Sequence, residues 1–148
     1  MKTSELCRKP AITATPATPL AEISRLMRAN HVGSVVVTSN EGGRHPVGIV
    51  TDRDIVVEVV AMGLDPAAMT AGDIMTLSPA VSSGDEDALW ALKVMRDRGV
   101  RRLPVVDDHG ELAGVIAFDD LVQHLGTTLG DVAQLIGTER LVEGARRR

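Results

Sequence analysis

Aromatic side chains are almost absent from this 148-residue chain: Trp90 and Phe118 are the only two, and there is no tyrosine. Binding single-stranded nucleic acid by base stacking needs aromatic platforms, so that function class is disfavoured. Cysteine is nearly missing as well. Cys7 stands alone, which excludes an intramolecular disulfide and a cysteine-based zinc site and leaves a buried thiol as its expected role. No apolar run approaches the roughly 20 residues that cross a bilayer. The first residues lack the apolar core of a signal peptide, so the protein is expected in the cytoplasm and without a membrane role. Positive charge is not in excess: the formal net charge is −4, and no overall field draws nucleic acid or anionic lipid. Arg101-Arg102 and Arg146-Arg147-Arg148 are local basic runs, the second read as a solvated tail. His31, His45, His109 and His124 have no ligand-like spacing, so neither a metal centre nor a catalytic histidine is expected. Nor is there a nucleophile–base pair or a Walker-type phosphate loop, so the chain is not expected to be an enzyme.

What is present is aliphatic. Apolar residues make up 44% and charged residues 24%, enough for a core of Val, Ile, Leu, Met and Ala under a polar surface. The length suits one domain or two small ones sharing a core. The chain also repeats itself. Residues 4–12 match 72–81 if the second copy has one extra residue, which sets Pro10 on Pro79, Ile12 on Val81 and Cys7 on Met75. Residues 20–30 match 88–98, Gly33-Ser34 fall on Arg101-Arg102, Val35-Val36-Val37 on Leu103-Pro104-Val105, and Gly48 on Gly114. The first copy has the longer turn, 39–45 against 107–111.

Each copy predicts the order β-α-β-β-α. A short extended piece (11–13; 80–82) precedes an amphipathic helix, on which Leu20, Ile23, Leu26 and Met27, then Ala88, Ala91, Leu92 and Met95, mark the buried face. Trp90 sits off that stripe, where it would cover a neighbouring element or a partner. Two strands form a hairpin in each copy (34–38 with 47–50; 103–106 with 112–117), turned by Gly42-Gly43 and by Gly110. Helices over 52–62 and 118–125 close the copies. The predicted organisation is repeat 1 over 3–63, a linker over 64–71, repeat 2 over 72–125 and a helical tail over 126–148. In that tail Leu129, Val132, Leu135 and Ile136 have helical spacing, and packing on the domain is their expected role, with a partner surface across a dimer as the alternative. The valine-rich strands lack polar alternation and need cover on both faces. The fold class is therefore α/β, of the α+β type, with the halves packed sheet to sheet about a pseudo-twofold axis. Clefts between halves are favoured ligand sites.

Two strand-to-helix junctions stand out: Gly48-Ile49-Val50-Thr51-Asp52-Arg53-Asp54 and Gly114-Val115-Ile116-Ala117-Phe118-Asp119-Asp120. A carboxylate there lies beside unpaired main-chain N–H groups. With Val100-Arg101-Arg102-Leu103-Pro104-Val105-Val106 and Asp73-Ile74-Met75-Thr76, these segments resemble the cystathionine-β-synthase (CBS) domain pair, or Bateman module, over about residues 3–125. A single Gly-x-x-Thr-x-x-Asp is weak evidence, but two copies in register with matching flanks are specific.

The resemblance implies a regulatory module that binds an adenosyl nucleotide between its repeats: AMP, ADP or ATP ahead of NAD or S-adenosylmethionine, with no required cofactor. It implies that Asp54 and Asp120 hold ribose hydroxyls, that Thr51 bonds ribose or phosphate, and that Arg101 and Arg102 reach phosphates. The chemistry agrees: a carboxylate accepts both hydroxyls of a diol, and a guanidinium forks onto a phosphate. Ile12, Val81, Ile49 and Val115 are the expected apolar contacts to adenine. A homodimer and an effector protein are the implied partners. Each residue also has an ordinary reading: the acids as helix caps, Thr51 as a strand end, the arginines as partners of Asp107 or Asp108. Ala117 replaces Thr51 in the second copy, and Gly33-Ser34 replace the arginines in the first. The clefts are expected to be unequal. The alternative is an interaction module with degenerate, non-binding clefts.

Overall fold

A computed structural model describes residues 1–39 and 44–146. Gly42-Gly43 and Arg147-Arg148 lie outside the described residues. The elements are α1 (Thr3–Leu6), β1 (Thr13–Ala14), α2 (Leu20–Asn30), β2 (Ser34–Thr38), β3 (Pro46–Thr51), α3 (Asp52–Asp54) running into a π-helical turn (Ile55–Val60), α4 (Ala71–Ile74), β4 (Thr76–Leu77), β5 (Ser82–Ser83), α5 (Ala88–Arg98), β6 (Arg102–Val106), β7 (Leu112–Ala117) and α6 (Phe118–Arg146). They form two sheets, β1-β2-β3-β4 and β5-β6-β7.

The two long repeat helices arise from the same spacing. Leu20, Ile23 and Met27 bury one face of α2, and Ala88, Ala91 and Met95 bury the matching face of α5. Each helix ends on a left-handed residue, His31 and Gly99, which closes the last turn. The hairpins share one register: Ser34 opposes Thr51 in the first, and Arg102 opposes Ala117 in the second. Val35, Val37 and Val50 fill one core with the α2 face, and Leu103, Val105 and Ile116 fill the other with the α5 face. Each such side chain contributes about 1.5–3 kcal/mol on burial.

The opening segments are exchanged between the repeats. Thr3 donates its N–H to the Glu86 carbonyl and Ser4 to that of Gly84, while Ala71 donates to Thr18 and Gly72 to Pro16. Cys7 is buried in the second core, and Ala71, with Met75 beside it, packs in the first. Burial pushes the Cys7 thiol above its ordinary pKa. Gly48 and Gly114 are glycines because these segments cross them. A Cβ on Gly48 would stand 2.5 Å from the Met75 sulfur, and one on Gly114 would stand 2.6 Å from the Cys7 sulfur and 2.7 Å from the Arg8 carbonyl oxygen.

Three expectations need correction. The helix over 52–62 is α-helical only through Asp54, and then widens to a π-helical turn. Ile55, Val56, Val57, Val59 and Val60 are β-branched, and such side chains crowd the tighter α-helical turn. The tail is helical as expected, but it continues the closing helix of the second repeat: α6 runs unbroken through Gly126 to Arg146. It does not pack on the core. Leu129, Val132, Leu135 and Ile136 are 50–70% exposed. At about 1.5 Å per residue, the last turns extend past the body of the domain.

The third correction is a register. The sheets pair Ala14 with Val37 and Ser82 with Val105. Ala14 therefore matches Ser82, and Ile12 matches Ala80 rather than Val81. Setting Pro10 on Pro79 shifts the copies by one residue, and one residue turns a strand side chain to the opposite face. Val81 accordingly points outward, 41% exposed.

Candidate ligand-binding site

Thr51 closes β3 and caps α3. Its hydroxyl oxygen accepts the Asp54 N–H at 3.2 Å, and the Asp54 carboxylate accepts the Thr51 N–H at 2.8 Å. This reciprocal cap fixes one Asp54 oxygen, Oδ2. The other has no partner among the described residues. The Thr51 hydroxyl proton is likewise free to donate, because its oxygen is the accepting atom in the cap. The helix-cap reading of Asp54 is thus true of half the carboxylate and leaves the other half for a ligand.

Asp54, Thr51 and Ile49 line a cleft of about 470 Å³. Its other wall comes from the second repeat: Thr76, Pro79 and Ala80 from the segment after α4, and Gly99 to Arg102 from the turn before β6. Arg53 stands at its rim. The pseudo-equivalent cleft, about 310 Å³, is lined by Val115, Ala117, Asp119 and Asp120 and by the first repeat's Arg8, Pro10–Ile12 and 31–34. Both volumes are in the range of small-ligand pockets.

Most of the sequence-predicted site residues converge here. Ile49, Thr51, Asp54, Arg101 and Arg102 share the first cleft, and Ile12, Val115 and Asp120 share the second, with Arg102 also on its wall. Val81 lies on neither wall, for the register reason above, and Ala80 takes its place. Arg8 and Arg53 escaped the sequence reading. Arg53 was visible inside the junction motif, directly before Asp54, the counterpart of Asp120. Arg8 had no local signal, because the segment exchange alone brings it to the second repeat.

The arginines do not pair with Asp107 or Asp108. Arg101 bonds Asp119 at 3.2 Å and lies 5.4 Å from the Phe118 ring centroid. Arg102 approaches Asp52 at 4.0 Å. Its guanidinium crosses above Gly33, where any side chain would collide with it. The glycine that replaces an arginine in the first repeat therefore makes room for the second repeat's arginine, which stands between the two clefts. In the second cleft Asp120 accepts the Ala117 N–H at 2.9 Å through one oxygen and Arg8 through the other, from Nε at 3.2 Å and Nη2 at 3.1 Å. Its carboxylate is spoken for at both ends.

Comparison with known proteins places this architecture. The CBS domain family model matches residues 4–61 and 71–127, and the chain belongs to the CBS domain family as a tandem pair. The uncharacterized protein MK0525 of Methanopyrus kandleri is 39% identical over 119 residues, 80% of this chain and 60% of that protein. This chain thus spans less than two thirds of that relative's length. Hypoxic response protein 1 of Mycobacterium tuberculosis is 33% identical over 106 residues, 72% of each chain. Among solved structures, the CBS domain protein PAE2072 of Pyrobaculum aerophilum, in complex with AMP, superimposes with a TM-score of 0.77 at 29% identity, covering 86% of this chain and 99% of that one. The CBS pair of MJ0100, in complex with 5′-methylthioadenosine and S-adenosylmethionine, gives a TM-score of 0.77 at 23% identity, a likeness of fold. The structure of hypoxic response protein I holds two zinc ions, with a TM-score of 0.72 at 25% identity. In this chain no cluster of three His, Cys, Asp or Glu side chains suited to a metal lies among the described residues. No described helix is long and apolar enough to cross a membrane.

Proposed function

We propose that this protein is a regulatory, non-catalytic module of the cytoplasm that binds an adenine nucleotide in the Asp54 cleft and transmits occupancy through a partner or through its own assembly. The observation that carries the reading is the half-used cap. Asp54 keeps one carboxylate oxygen unpartnered in a cleft of suitable volume, beside a free hydroxyl proton and three arginines. A ribose diol supplies the donors that oxygen needs, and the guanidinium groups suit a phosphate. AMP, ADP and ATP therefore precede NAD and S-adenosylmethionine as ligands. Thr51, Asp54, Ile49, Arg101 and Arg102 form this site; Ile12, Val115 and Asp120 belong to the second.

A homodimer accompanies this reading. Val56, Val57, Val60, Leu89, Trp90 and Leu125 are 37–61% exposed, and a partner subunit would cover such apolar side chains. Trp90 is half exposed, with Lys93 Nζ 5.0 Å from its ring centroid. An effector protein would read the change that a ligand makes in the packing of repeats or subunits.

Calorimetry with AMP, ADP, ATP, NAD and S-adenosylmethionine tests the function. Binding of at least one, weakened about tenfold or more by Asp54→Ala, is the expected outcome. Silence with all five at millimolar ligand would leave the non-binding interaction module as the reading.

A further inference from the structure

The second repeat carries a groove between α5 and the start of α6. Leu89, Leu92, Val100 and Phe118 line a concavity of about 570 Å³, and the charged residues on its described walls are all cations: Lys93, Arg96 and Arg101. A smaller hollow of about 190 Å³ shares Leu89 and Leu92 and extends the groove to Leu121 and Leu125 of α6. Lys93 lies over the Trp90 ring. Arg96 and Arg101 reach Asp97 and Asp119, in pairs whose side chains are all at least half exposed, and such pairs hold weakly. The complement of this groove stands on the same chain. Leu129, Val132, Leu135 and Ile136 form an exposed stripe on the last turns of α6. Asp131 and Glu139 stand one turn before and one turn after Leu135, on the same side of the helix. From Leu129 to Glu139 the helix carries these two acids and no lysine or arginine. A chain cannot seat its own stripe in its own groove. Phe118 opens α6 on the groove wall, and an unbroken helix rising about 1.5 Å per residue sets Leu135 roughly 25 Å beyond it. Nor does the stripe suit its own kind: two tails paired in parallel would bring Glu139 against Glu139.

We propose that the groove beside α5 receives the tail of α6 from a second copy of this chain, and that the exchange is reciprocal. The proposal rests on the homodimer reading above and does not depend on the ligand. Two identical docks related by a twofold axis close the assembly and leave neither stripe nor groove to water. The apolar stripe supplies the buried area, and its acids meet cations, which fixes the seating. The 11 residues of α5 match in length the stretch from Leu129 to Glu139. The Gly99–Arg101 turn also walls the Asp54 cleft, so a docked tail borders the proposed nucleotide site.

Analytical ultracentrifugation of the full chain tests this with changes at exposed side chains. Lys93→Glu/Arg96→Glu reverses the groove, and Asp131→Lys/Glu139→Lys reverses the tail. Each variant alone is expected to dimerise at least tenfold more weakly than the parent. Mixed in equal amounts, the two are expected to form a heterodimer of near-parental affinity, because each tail then meets a groove of opposite sign. Leu129→Ser/Leu135→Ser, at side chains 70% and 68% exposed, should weaken the parent dimer at least tenfold by removing the apolar part of the dock. The proposal is overturned if groove reversal leaves the dimer intact, the result expected of tails that pair with each other or of an interface elsewhere. It is equally overturned if the two reversed chains fail to pair, or if the serine variant dimerises like the parent. In these cases the homodimer itself stands. A parent chain that stays monomeric at millimolar concentration removes the homodimer and this inference together, and leaves the nucleotide reading to its own calorimetric test.

Discussion

Residues 75–76 cross Gly48 as residues 7–8 cross Gly114, but the two crossings do not tolerate the same changes. At Gly48 the nearest atoms are all side-chain atoms of Met75; at Gly114 the Arg8 main-chain carbonyl is among them. A thioether chain yields where a hydrogen-bonded backbone does not. Arg8 is bound on both sides, donating to the Val115 carbonyl at 2.9 Å and accepting from its N–H at 3.2 Å. Main-chain pairing holds both crossings, since Thr76 and Leu77 pair with Ile49 and Gly48 as Arg8 pairs with Val115; what differs is the atom that stands over each glycine, a methionine side chain or the Arg8 carbonyl. The Arg8–Val115 pairing also delivers the Arg8 side chain to Asp120. The first repeat, crossed by Thr76 instead of Arg8, keeps its acid open.

The sharpest way to break this comparison is to add a methyl group at each crossing. Gly114→Ala is expected to cost about 2–3 kcal/mol and Gly48→Ala about 1–2 kcal/mol, the difference between displacing backbone and displacing a methionine. Urea midpoints at constant slope would measure both. Equal losses would mean that the Arg8 carbonyl yields as readily as the Met75 side chain.

Next in size is the junction itself. Thr51→Ala makes the first junction resemble the second and removes a cap; it is expected to cost about 1 kcal/mol of stability. It should also weaken nucleotide binding several-fold, as loss of one hydrogen bond of about 1 kcal/mol predicts. Ala117→Thr is the reciprocal change and is expected to stabilise by a similar or smaller amount. If Thr51→Ala shifts the urea midpoint and leaves nucleotide affinity untouched, the hydroxyl is a cap and nothing more.

The repeat, its hairpins and the acids at both junctions were legible because each rests on local chemistry: apolar periodicity, turn residues, and short side chains beside free N–H groups. The bounds of α2, β2 and β7 follow from those signals alone. What stayed hidden is non-local. Nothing around Arg8 indicates that it lies over Asp120, because 112 residues separate them and only the segment exchange joins them. Val81 was misplaced since proline spacing and strand register disagreed by one residue, and register is set by pairing partners rather than by neighbours in sequence. The tail's apolar spacing was read correctly as helical, but spacing alone does not say what covers a face.

Removing residues 129–148 would show how little the last turns of α6 give the body. Leu129, Val132, Leu135 and Ile136 are at least half exposed, and a Cβ at Gly126, Gly130 or Gly137 would meet nothing within 4 Å. The truncated chain is expected to melt within about 2 °C of the parent at high dilution, since surface changes usually stay within about 0.5 kcal/mol. A larger loss that grows with protein concentration would place this helix in the dimer.

The smallest expected effect concerns acid. Asp87 caps α5 in the second repeat, and the Leu89 N–H, then the chain's own N-terminal ammonium, hold its carboxyl below the ordinary value of 3.8. Asp107 is lowered first by the Glu111 N–H in the second hairpin's turn. Asp73 is lowered by the Thr70 N–H and then its hydroxyl, at the start of the segment that packs on the first repeat. A carboxyl whose native pKa is depressed contributes stability that is present in full above the unfolded value and is lost as pH falls through the native one. The window thus opens near pH 3.8 and extends downward. All three carboxylates are exposed, so each contribution is small. Two act within the second repeat and one at the first, so the second repeat should be the more acid-sensitive half. Hydrogen exchange followed from pH 5 to pH 3 would read this, with protection in α5 and β6 expected to fall before that in α2 and β2. Protection lost first from α2 would reverse the assignment, and Asp87→Asn should flatten the pH dependence of α5 without altering that of α2.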